Sequence, residues 1–331
     1  MLSQTVIRGV SFEPALFCAP LAGITHSAFR RLASEFGGCG GFWTEMLAAR
    51  EVLKEDPKTS PWLKRSATEK RVIYQLMVRK DDPVEEIVAR LAAAGADGVD
   101  INLACHAPVV RNVAAGSGLF EDAAALAEIL GAARRCWPGL LTVKIRLGRD
   151  EPGWESRFEE RLKLFEAEGV DAVILHPRFF EDKFKRRARH ELLPWATSLT
   201  RVPLIANGDI TGPETIARHP DRFEAAKGLM IGRMAAAKPW IFAAWNEPLE
   251  VDYAEVWRRM SEYIRADFPE KQALGRLKIF TRYYARNFKF GHHFNVAVHN
   301  APTMDAACEA ARAFLDRNPA INPDPPLMGI A

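Results

Sequence analysis

The sequence predicts an α/β fold: a closed (β/α)8 barrel (TIM barrel) followed by a small helical C-terminal domain. Three observations favour this fold. Eight short apolar segments alternate with helical segments between Leu16 and Ile231, two of the helix-to-strand joints are near-copies, and polar residues recur where the apolar segments end. Alternating strands and helices imply parallel pairing, and eight such units suggest a closed barrel.

The predicted strands are short, apolar and often β-branched, and most begin beside Gly or Pro. Buried parallel strands have this composition. In chain order they are Leu16–Leu21, Gly41–Met46, Val72–Val78, Gly98–Leu103, Leu140–Ile145, Ala172–Leu175, Val202–Ala206 and Gly228–Ile231.

Amphipathic segments between these strands predict helices at Pro83–Ala94, Ala123–Cys136, Glu155–Glu168 and Pro213–His219. The two matching joints place a glycine, a small residue and an aspartate before a strand, around Gly95 and Gly169. Glycine as a left-handed cap suits this turn. The alternative, an open doubly wound sheet, calls for a GxGxxG motif after the first strand, which instead ends in Ala19-Pro-Leu-Ala-Gly23.

After about Pro248 the pattern is helical only, with predicted helices at Tyr253–Asp267, Gln272–Phe288 and Asp305–Asn318. We therefore predict a catalytic barrel over residues 1–247, a helical domain over 248–318 and a loose tail over 319–331.

The composition, 48% hydrophobic and 26% charged, is that of a soluble globular protein. There is no apolar run long enough to span a membrane and no export signal, and the five scattered cysteines indicate reduced thiols. These features predict a cytoplasmic location. A net charge of +3 is too small to identify a nucleic-acid-binding protein by itself.

Polar signatures follow four of the predicted strands: Asn102-Leu-Ala-Cys105, Lys144-Ile-Arg146, His176-Pro-Arg178 and Asn207-Gly-Asp209. In β/α barrels the chemistry lies at the C-terminal ends of the strands. These residues therefore predict an enzyme active site at one rim of the barrel.

Lys144 and Arg146 alternate with apolar neighbours, so both side chains are expected to point into the barrel. Two inward cations imply an anionic or electron-accepting ligand. The alternative for Lys144 is an ion pair with a residue of a neighbouring strand, for example Asp100. Cys105 is either a small buried apolar residue or a reactive thiol, and the thiol could act as nucleophile or general acid.

The loops after the seventh and eighth strands, Asn207-Gly-Asp-Ile210 and Met230-Ile-Gly-Arg233, are in the place where barrels bind phosphate. Gly208 and Gly232 allow close backbone approach, and Arg233 adds charge. Together with an interior amide at Gln75, these residues fit flavin mononucleotide (FMN).

The ordered set of motifs resembles the tRNA-dihydrouridine synthases, flavin enzymes that reduce selected uridines in tRNA. The matching segments are Ala19–Thr25 with Phe29-Arg30, Thr44–Met46, Tyr74–Leu76, Asp100–Cys105, Gly116–Gly118, Val143–Gly148, His176–Arg178, Asn207–Ile210 and Met230–Arg233 with Pro239-Trp240.

This resemblance implies that Cys105 is the catalytic residue, which protonates C5 of uracil while FMN N5 delivers a hydride to C6. It implies that Asn102, Arg146 and Arg178 lie near the uracil, that NADPH or NADH is the reductant, and that the helical domain holds tRNA. The implied FMN-binding residues are Pro20, Leu21, Ala22, Gln75, Lys144, His176, Asn207, Gly208, Asp209, Gly232 and Arg233.

Two departures from the family pattern affect sensitive places. The family usually has Gly-Cys-Pro where this chain has Ala104-Cys105-His106, and the segment Phe179–His190 is richer in Lys and Arg than is usual. These changes bear on substrate choice more than on reaction type.

Two basic regions could meet tRNA phosphates. The first is Lys183-Phe-Lys-Arg-Arg-Ala-Arg189, which includes Lys185 and Arg186. The second is a cationic stripe made of Arg276, Lys278, Arg282, Arg286 and Lys289. The aromatic residues interleaved with it are either core residues or platforms for bases: Phe280, Tyr283, Tyr284, Phe288 and Phe290. We expect a monomer that needs no metal, membrane or protein partner.

Two other functions stay open on the sequence. A flavin barrel could reduce a free pyrimidine or a small enone, or a non-catalytic barrel could bind tRNA after losing its chemistry.

Overall fold

The computed structural model describes residues 4–182 and 185–326. An antiparallel hairpin, β1 (Thr5–Ile7) and β2 (Val10–Phe12), precedes the barrel. The barrel strands are β3 (Leu16–Cys18), β4 (Gly41–Trp43), β6 (Val72–Met77), β7 (Gly98–Asn102), β8 (Leu140–Ile145), β9 (Ala172–Leu175), β10 (Leu204–Asn207) and β11 (Gly228–Ile231), with a two-residue strand β5 (Leu47–Ala48) beside β6.

The eight barrel strands form a closed parallel sheet. Each pairs with the next in chain order, and β11 pairs with β3 through Leu229 opposite Leu16 and Ile231 opposite Cys18. This closure confirms the predicted barrel and excludes the open sheet. The hairpin and β5 were not predicted.

Five predicted strands have wrong bounds. The second, third and fourth end early, at Trp43, Met77 and Asn102, and the seventh ends one residue late, at Asn207. Two further ends are wrong for a local reason. The first strand stops at Cys18 rather than Leu21 because Pro20 cannot donate to a ladder, and the seventh begins after Pro203 for the same reason. Three strands, β8, β9 and β11, have the predicted bounds.

The helices between the strands are α1 (Ser27–Phe36), α2 (Ala49–Val52), α3 (Val84–Ala93), α4 (Pro108–Arg111), α5 (Ser117–Glu121), α6 (Ala123–Cys136), α7 (Trp154–Ala167), α8 (Leu193–Ser198), α9 (Pro213–Ala217) and α10 (Arg233–Ala237), with 3-10 turns at His190–Leu192 and Pro220–Arg222. The four predicted barrel helices are all present, with ends shifted by two residues at most. The other six, α1, α2, α4, α5, α8 and α10, were not predicted.

Asp97 and Asp171 explain the near-copied joints. The Asp97 N–H donates to the Val72 carbonyl, and the Asp97 carboxylate accepts the Val72 N–H at 2.9 Å. Asp171 makes the same pair of bonds with Leu141. Gly95 and Gly169 precede them with φ near +76° and +71°, the left-handed conformation that favours glycine. Each aspartate thus fixes the beginning of the neighbouring strand.

The barrel interior changes from apolar to polar along its axis. On β8 the inward positions run Leu140, Thr142 and Lys144, because alternate residues share a face. At the lower end, Leu140 packs in one apolar cluster with Phe12 of the hairpin. The lower half is therefore filled with apolar side chains, and the polar groups are concentrated at the C-terminal ends of the strands.

The C-terminal region contains α11 (Tyr253–Asp267), α12 (Glu270–Tyr284), a 3-10 turn (Ala285–Asn287), α13 (Gly291–Asn300) and α14 (Met304–Leu315). The sequence predicted three of these helices and missed α13. The predicted tail is bonded at its beginning, since Ala320 accepts from the Lys289 N–H and Pro323 accepts from the Lys238 ammonium. Across residues 4–182 and 185–326, no helix is long and apolar enough to cross a membrane.

A candidate active site at the barrel mouth

A buried hydrogen-bond network joins β6, β7 and β8 inside the barrel. The Gln75 amide nitrogen donates to Asp100 at 2.7 Å, Thr142 donates to Asp100 at 2.5 Å, and the Asn102 amide nitrogen donates to Gln75 at 2.8 Å. Burial raises the pKa of Asp100 to about 6, although these donors favour the carboxylate. The network fixes the inward side chains of three adjacent strands.

Lys144 lies directly above this network. Only 7% of Lys144 is exposed, and its ammonium has no hydrogen-bond or ion-pair partner within the described part of the chain. Burial and the nearby Arg146 lower its pKa to about 8, while Asp100 and Cys105 act in the opposite direction. The Asp100 ion pair that was the alternative for Lys144 does not form. A buried cation without a partner is costly, which indicates that a ligand completes this site.

Arg146, His176 and Arg178 extend the cationic surface across β8 and β9. Burial and Arg178 lower the pKa of Arg146 to about 10, and burial lowers the pKa of His176 far below its usual value. Arg178 Nη1 lies 2.9 Å from His176 Nε2, and a guanidinium can only donate. His176 is therefore a neutral imidazole that accepts at Nε2.

Asp209 holds two arginines from different loops. Its carboxylate accepts from Arg178 at 2.6 Å and from Arg233 at 2.8 Å, and it also accepts the Ala188 N–H. Gly208 beside it has φ near +102°, and a Cβ there would lie 2.5 Å from the His176 ring. The predicted phosphate loops are thus joined into one rigid cationic corner.

Cys105 follows β7 and is held through its backbone. Its N–H donates to the Asn102 side-chain oxygen at 3.0 Å, and its carbonyl accepts the Ser117 N–H at 2.9 Å. Its thiol is partly buried and lies within electrostatic reach of Lys144 and Arg146. The thiol and the two inward cations therefore occupy the same mouth.

The first-strand segment reaches the same place. Pro20 and Leu21 are half-buried and Ala22 is exposed, and a Cβ on Gly232 would lie 3.7 Å from the Leu21 side chain. The Asn207 amide donates to the Met230 carbonyl at 2.8 Å. The predicted cofactor residues from β3, β10 and β11 are therefore neighbours.

Some of the cations of the basic loop after β9 are paired within the protein. Lys183 lies outside the described residues, and Lys185 and Arg186 are exposed. Asp182 pairs with Arg189 and, at 3.5 Å, with Arg186. The loop is thus fastened by its own aspartate, and part of its charge is neutralised.

The second basic region also contains both exposed cations and cations bonded within the protein. Arg282 and Arg286 are exposed, but Arg276 donates to the buried Glu45 at 3.1 Å and Lys278 donates to the Ala301 carbonyl at 2.8 Å. Four interleaved aromatics are core residues rather than base platforms: Phe280, Tyr283, Tyr284 and Phe288.

Sequence reasoning missed three contributors to this site. Thr142 completes the Asp100 network, Glu45 joins the barrel rim to α12, and Ser117 fixes the Cys105 carbonyl. The position of Thr142, two residues before Lys144, was an available signal, since it shares the inward face. In the described residues no group of three or more His, Cys, Asp or Glu could hold a metal ion.

A closed β/α barrel with a thiol, buried cations and a polar network at the C-terminal ends of its strands has the architecture of a TIM-barrel enzyme. The chain belongs to the dihydrouridine synthase family: the family model "Dihydrouridine synthase (Dus)" matches residues 17–317. The family resemblance predicted from the motifs is thereby confirmed.

Similar proteins cover most of the chain. The tRNA-dihydrouridine synthase B of Pseudomonas aeruginosa is 30% identical over 318 residues, which are 90% of this chain and 92% of the relative. That of Proteus vulgaris is 33% identical over 259 residues, 76% of this chain and 78% of the relative.

Solved structures support the fold. The old yellow enzyme homologue from Zymomonas mobilis superposes with a TM-score of 0.54 at 13% identity, covering 81% of this chain and 99% of that one. The old yellow enzyme from Trypanosoma cruzi gives a TM-score of 0.52 at 11% identity, with 81% and 98% covered.

Proposed function

We propose that this protein is an FMN-dependent tRNA-dihydrouridine synthase that reduces the C5=C6 bond of a uridine in tRNA. One observation carries the proposal: Cys105, whose N–H is bonded to the Asn102 side chain, shares the mouth of the barrel with Lys144, which lies opposite Asn102 in the β7–β8 pairing. The family match and the relatives' names supply the substrate class.

The residues at the mouth fit a flavin. Lys144 offers a buried ammonium with no partner among the described residues, and Arg233, which Asp209 holds beside Arg178, offers a cation for the phosphate. The half-buried Leu21 beside Gly232 offers an apolar edge. The remaining residues assigned to the cofactor are Pro20, Ala22, Gln75, His176, Asn207 and Gly208. When bound, FMN supplies the hydride that reaches C6 of the uracil.

Cys105 acts as the general acid in this proposal. Its S–H bond breaks, the proton goes to C5 of the uracil, and the thiolate regains a proton from solvent before the next turnover. Lys144 and Arg146 stabilise the negative charge near the sulfur. NADPH or NADH is the external reductant.

The uracil must leave the tRNA stack to reach this buried site. We assign Arg146 to the polar edge of the base. Arg178, which is fully buried and donates to His176, Asp209 and the Arg186 carbonyl, acts near the base by fixing these groups. The Asn102 amide nitrogen donates one hydrogen to Gln75, and its oxygen accepts the Cys105 N–H, so one amide hydrogen is left for the base. Asn102 therefore serves both the base and the cysteine loop.

Exposed cations near the mouth meet the tRNA backbone. The proposed phosphate-binding surface consists of Lys185, Arg186 and Arg187 on the loop after β9 and of Arg282 and Arg286 in the helical region. We assign the protein to the cytoplasm as a monomer.

Mapping of dihydrouridine in tRNA from cells with and without the gene tests the function. We expect dihydrouridine to disappear at one or a few positions, and complementation with the intact gene to restore it. An unchanged map in a strain lacking other enzymes of this kind would remove tRNA as the substrate. The same purified protein, assayed on free uridine and on a small enone, separates the alternative reductase activities.

A further inference from the structure

The carbonyl of Cys105 depends on a second loop segment. Ser117, at the beginning of α5, donates its N–H to that carbonyl, and a Cβ on Gly116 would lie 2.6 Å from the same oxygen. No side chain therefore fits at Gly116, and the two segments touch through their backbones. Any shift of Ser117 moves the backbone that carries the thiol.

His106 fixes Ser117 in place. Its Nδ1 lies 3.1 Å from the Ser117 hydroxyl oxygen, and its ring stacks on Phe180, with centroids 5.2 Å apart and planes 2° from parallel. Phe180 is fully buried, and its N–H donates to the Gly148 carbonyl at 2.9 Å. His106 therefore connects the cysteine loop to the loops after β8 and β9, which contain Arg146 and Arg178.

The charge of the ring suits this role. Burial and the neighbouring Arg111 lower the pKa of His106, which keeps the imidazole neutral near pH 7. A neutral ring can accept or donate at Nδ1, and it stacks on Phe180 without bringing a further positive charge to a cationic mouth.

We propose that His106 is a positioning residue for the reaction: through Ser117 and Phe180 it holds the Cys105 loop in register with the loops that carry Arg146 and Arg178. This inference rests on the proposed function, because the register matters only if Cys105 delivers a proton to a bound base. His106, which stands where the family usually has proline, thus has a defined structural role in this chain.

Three variants separate the two contacts. His106→Phe keeps an aromatic ring for Phe180 and loses the hydrogen bond to Ser117. His106→Asn keeps a polar atom near the Nδ1 position and loses the stack on Phe180. Ser117→Ala removes the hydroxyl group that contacts His106. His219→Phe, at an exposed position remote from the barrel mouth, is the matched control.

We expect His106→Phe and Ser117→Ala each to lower kcat about tenfold, because small misplacements of a reacting group are costly, with KM for tRNA unchanged. The double variant should lose no more than either single variant, since both remove one contact. His106→Asn should fall between the parent and His106→Phe, because it keeps a polar atom for Ser117 and loses the stack on Phe180. His219→Phe should match the parent.

Alkylation of Cys105 by iodoacetamide, followed by peptide mass spectrometry, supplies a readout independent of turnover. We expect His106→Phe to accelerate it about threefold or more, because the loop opens more often. An unchanged alkylation rate, additive losses in the double variant, or a rise in KM with kcat intact would each overturn the positioning role. If the parent reduced no tRNA, the proposed function would fail, while the alkylation comparison would still decide the role of His106.

Discussion

At the residue scale, Cys105 and Lys144 differ in how the surrounding protein bonds them. The backbone of Cys105 is bonded on both sides, by Asn102 and by Ser117, whereas the buried ammonium of Lys144 has no hydrogen-bond partner in residues 4–182 and 185–326. The thiol is thus positioned by the fold, and the ammonium is positioned for a group that the fold does not provide.

Replacing Cys105 by alanine should reduce turnover by about a hundredfold or more, since a positioned proton donor commonly contributes that much. FMN should stay bound, because the hydrogen bonds of residue 105 in this site are made by its backbone. Single-turnover reduction of tRNA and the flavin absorbance of the purified variant measure the two effects. Cys136→Ala, at an exposed thiol on the end of α6, is the control and should behave like the parent. Parent-like turnover of Cys105→Ala would contradict the general-acid role.

The pKa of Lys144, lowered to about 8, predicts a pH-dependent affinity for FMN. The ammonium loses its proton as the pH rises through this value, so an electron-rich or anionic ligand is bound less tightly above it. From about pH 8 to about pH 9 the Kd should rise about fivefold, following the loss of the cation. Quenching of FMN fluorescence measures this change.

Lys144→Arg is the matched control for this pH effect, because arginine keeps its charge throughout the range. Its Kd should be flat where that of the parent rises. A flat profile in the parent as well would show that the charge of Lys144 does not contribute to binding.

The residue-level prediction was limited by contacts between distant segments. Strand alternation was enough to predict that Lys144 and Arg146 face inward. Nothing local predicted that Asp209 would hold both Arg178 and Arg233, since these residues come from three different loops that meet only after the barrel closes.

At the element scale, the loop after β9 is anchored at three points. Asp182 pairs with Arg189, the Arg178 guanidinium donates to the Arg186 carbonyl, and the Ala188 N–H donates to Asp209. The exposed side chains of Lys185 and Arg187 therefore stand on a fixed support beside the mouth. A fixed loop can present charge to a rigid substrate at low entropic cost.

Alanine at both Lys185 and Arg187 should weaken tRNA binding and leave kcat at saturating tRNA near the parent value. The salt dependence of binding should become shallower by about two in slope, because two phosphate contacts are lost. Filter binding over a range of salt concentrations measures this slope. Arg135→Ala with Lys163→Ala, two exposed cations on outer helices, is the control pair. An unchanged slope in the loop variant would remove this loop from the tRNA surface.

The strands were the elements that the sequence predicted best. All eight are present because a buried parallel strand has an apolar, β-branched composition that needs no tertiary information. Helix α13 was missed because its segment, with His292, His293 and Asn295, has few apolar residues, and its stability comes from packing through Phe294 and Val298.

At the scale of the whole molecule, the helical region is fastened to the rim of the barrel by charged contacts. Arg276 pairs with Glu45, which also accepts the Gly23 N–H at 2.6 Å, and Lys64 of the barrel pairs with Asp267 at the end of α11. The barrel mouth and α12 are thus held in one fixed arrangement. A substrate that touches both regions would contact them as one continuous surface.

Alanine at Arg282 and Arg286 tests whether tRNA spans both regions. We expect weaker binding and a slope lower by about two, as for the loop pair. Combining the four substitutions should multiply the losses in affinity, because contacts that are far apart act independently. Parent-like affinity of the Arg282/Arg286 variant would confine tRNA to the barrel.

The sequence by itself determined the barrel, its strand order and the family, because alternating apolar strands and ordered motifs are local properties of the chain. It also determined which residue types reach the mouth, since strand ends and alternation place them there. Only the tertiary structure decided which of those groups are already satisfied. Arg276 and Lys278 are used within the protein, four of the five interleaved aromatics are core while Phe290 is exposed, and Lys144 has no hydrogen-bond partner among the described residues. Pairing between segments far apart in sequence depends on three-dimensional distance, and no pattern along the chain encodes that distance directly.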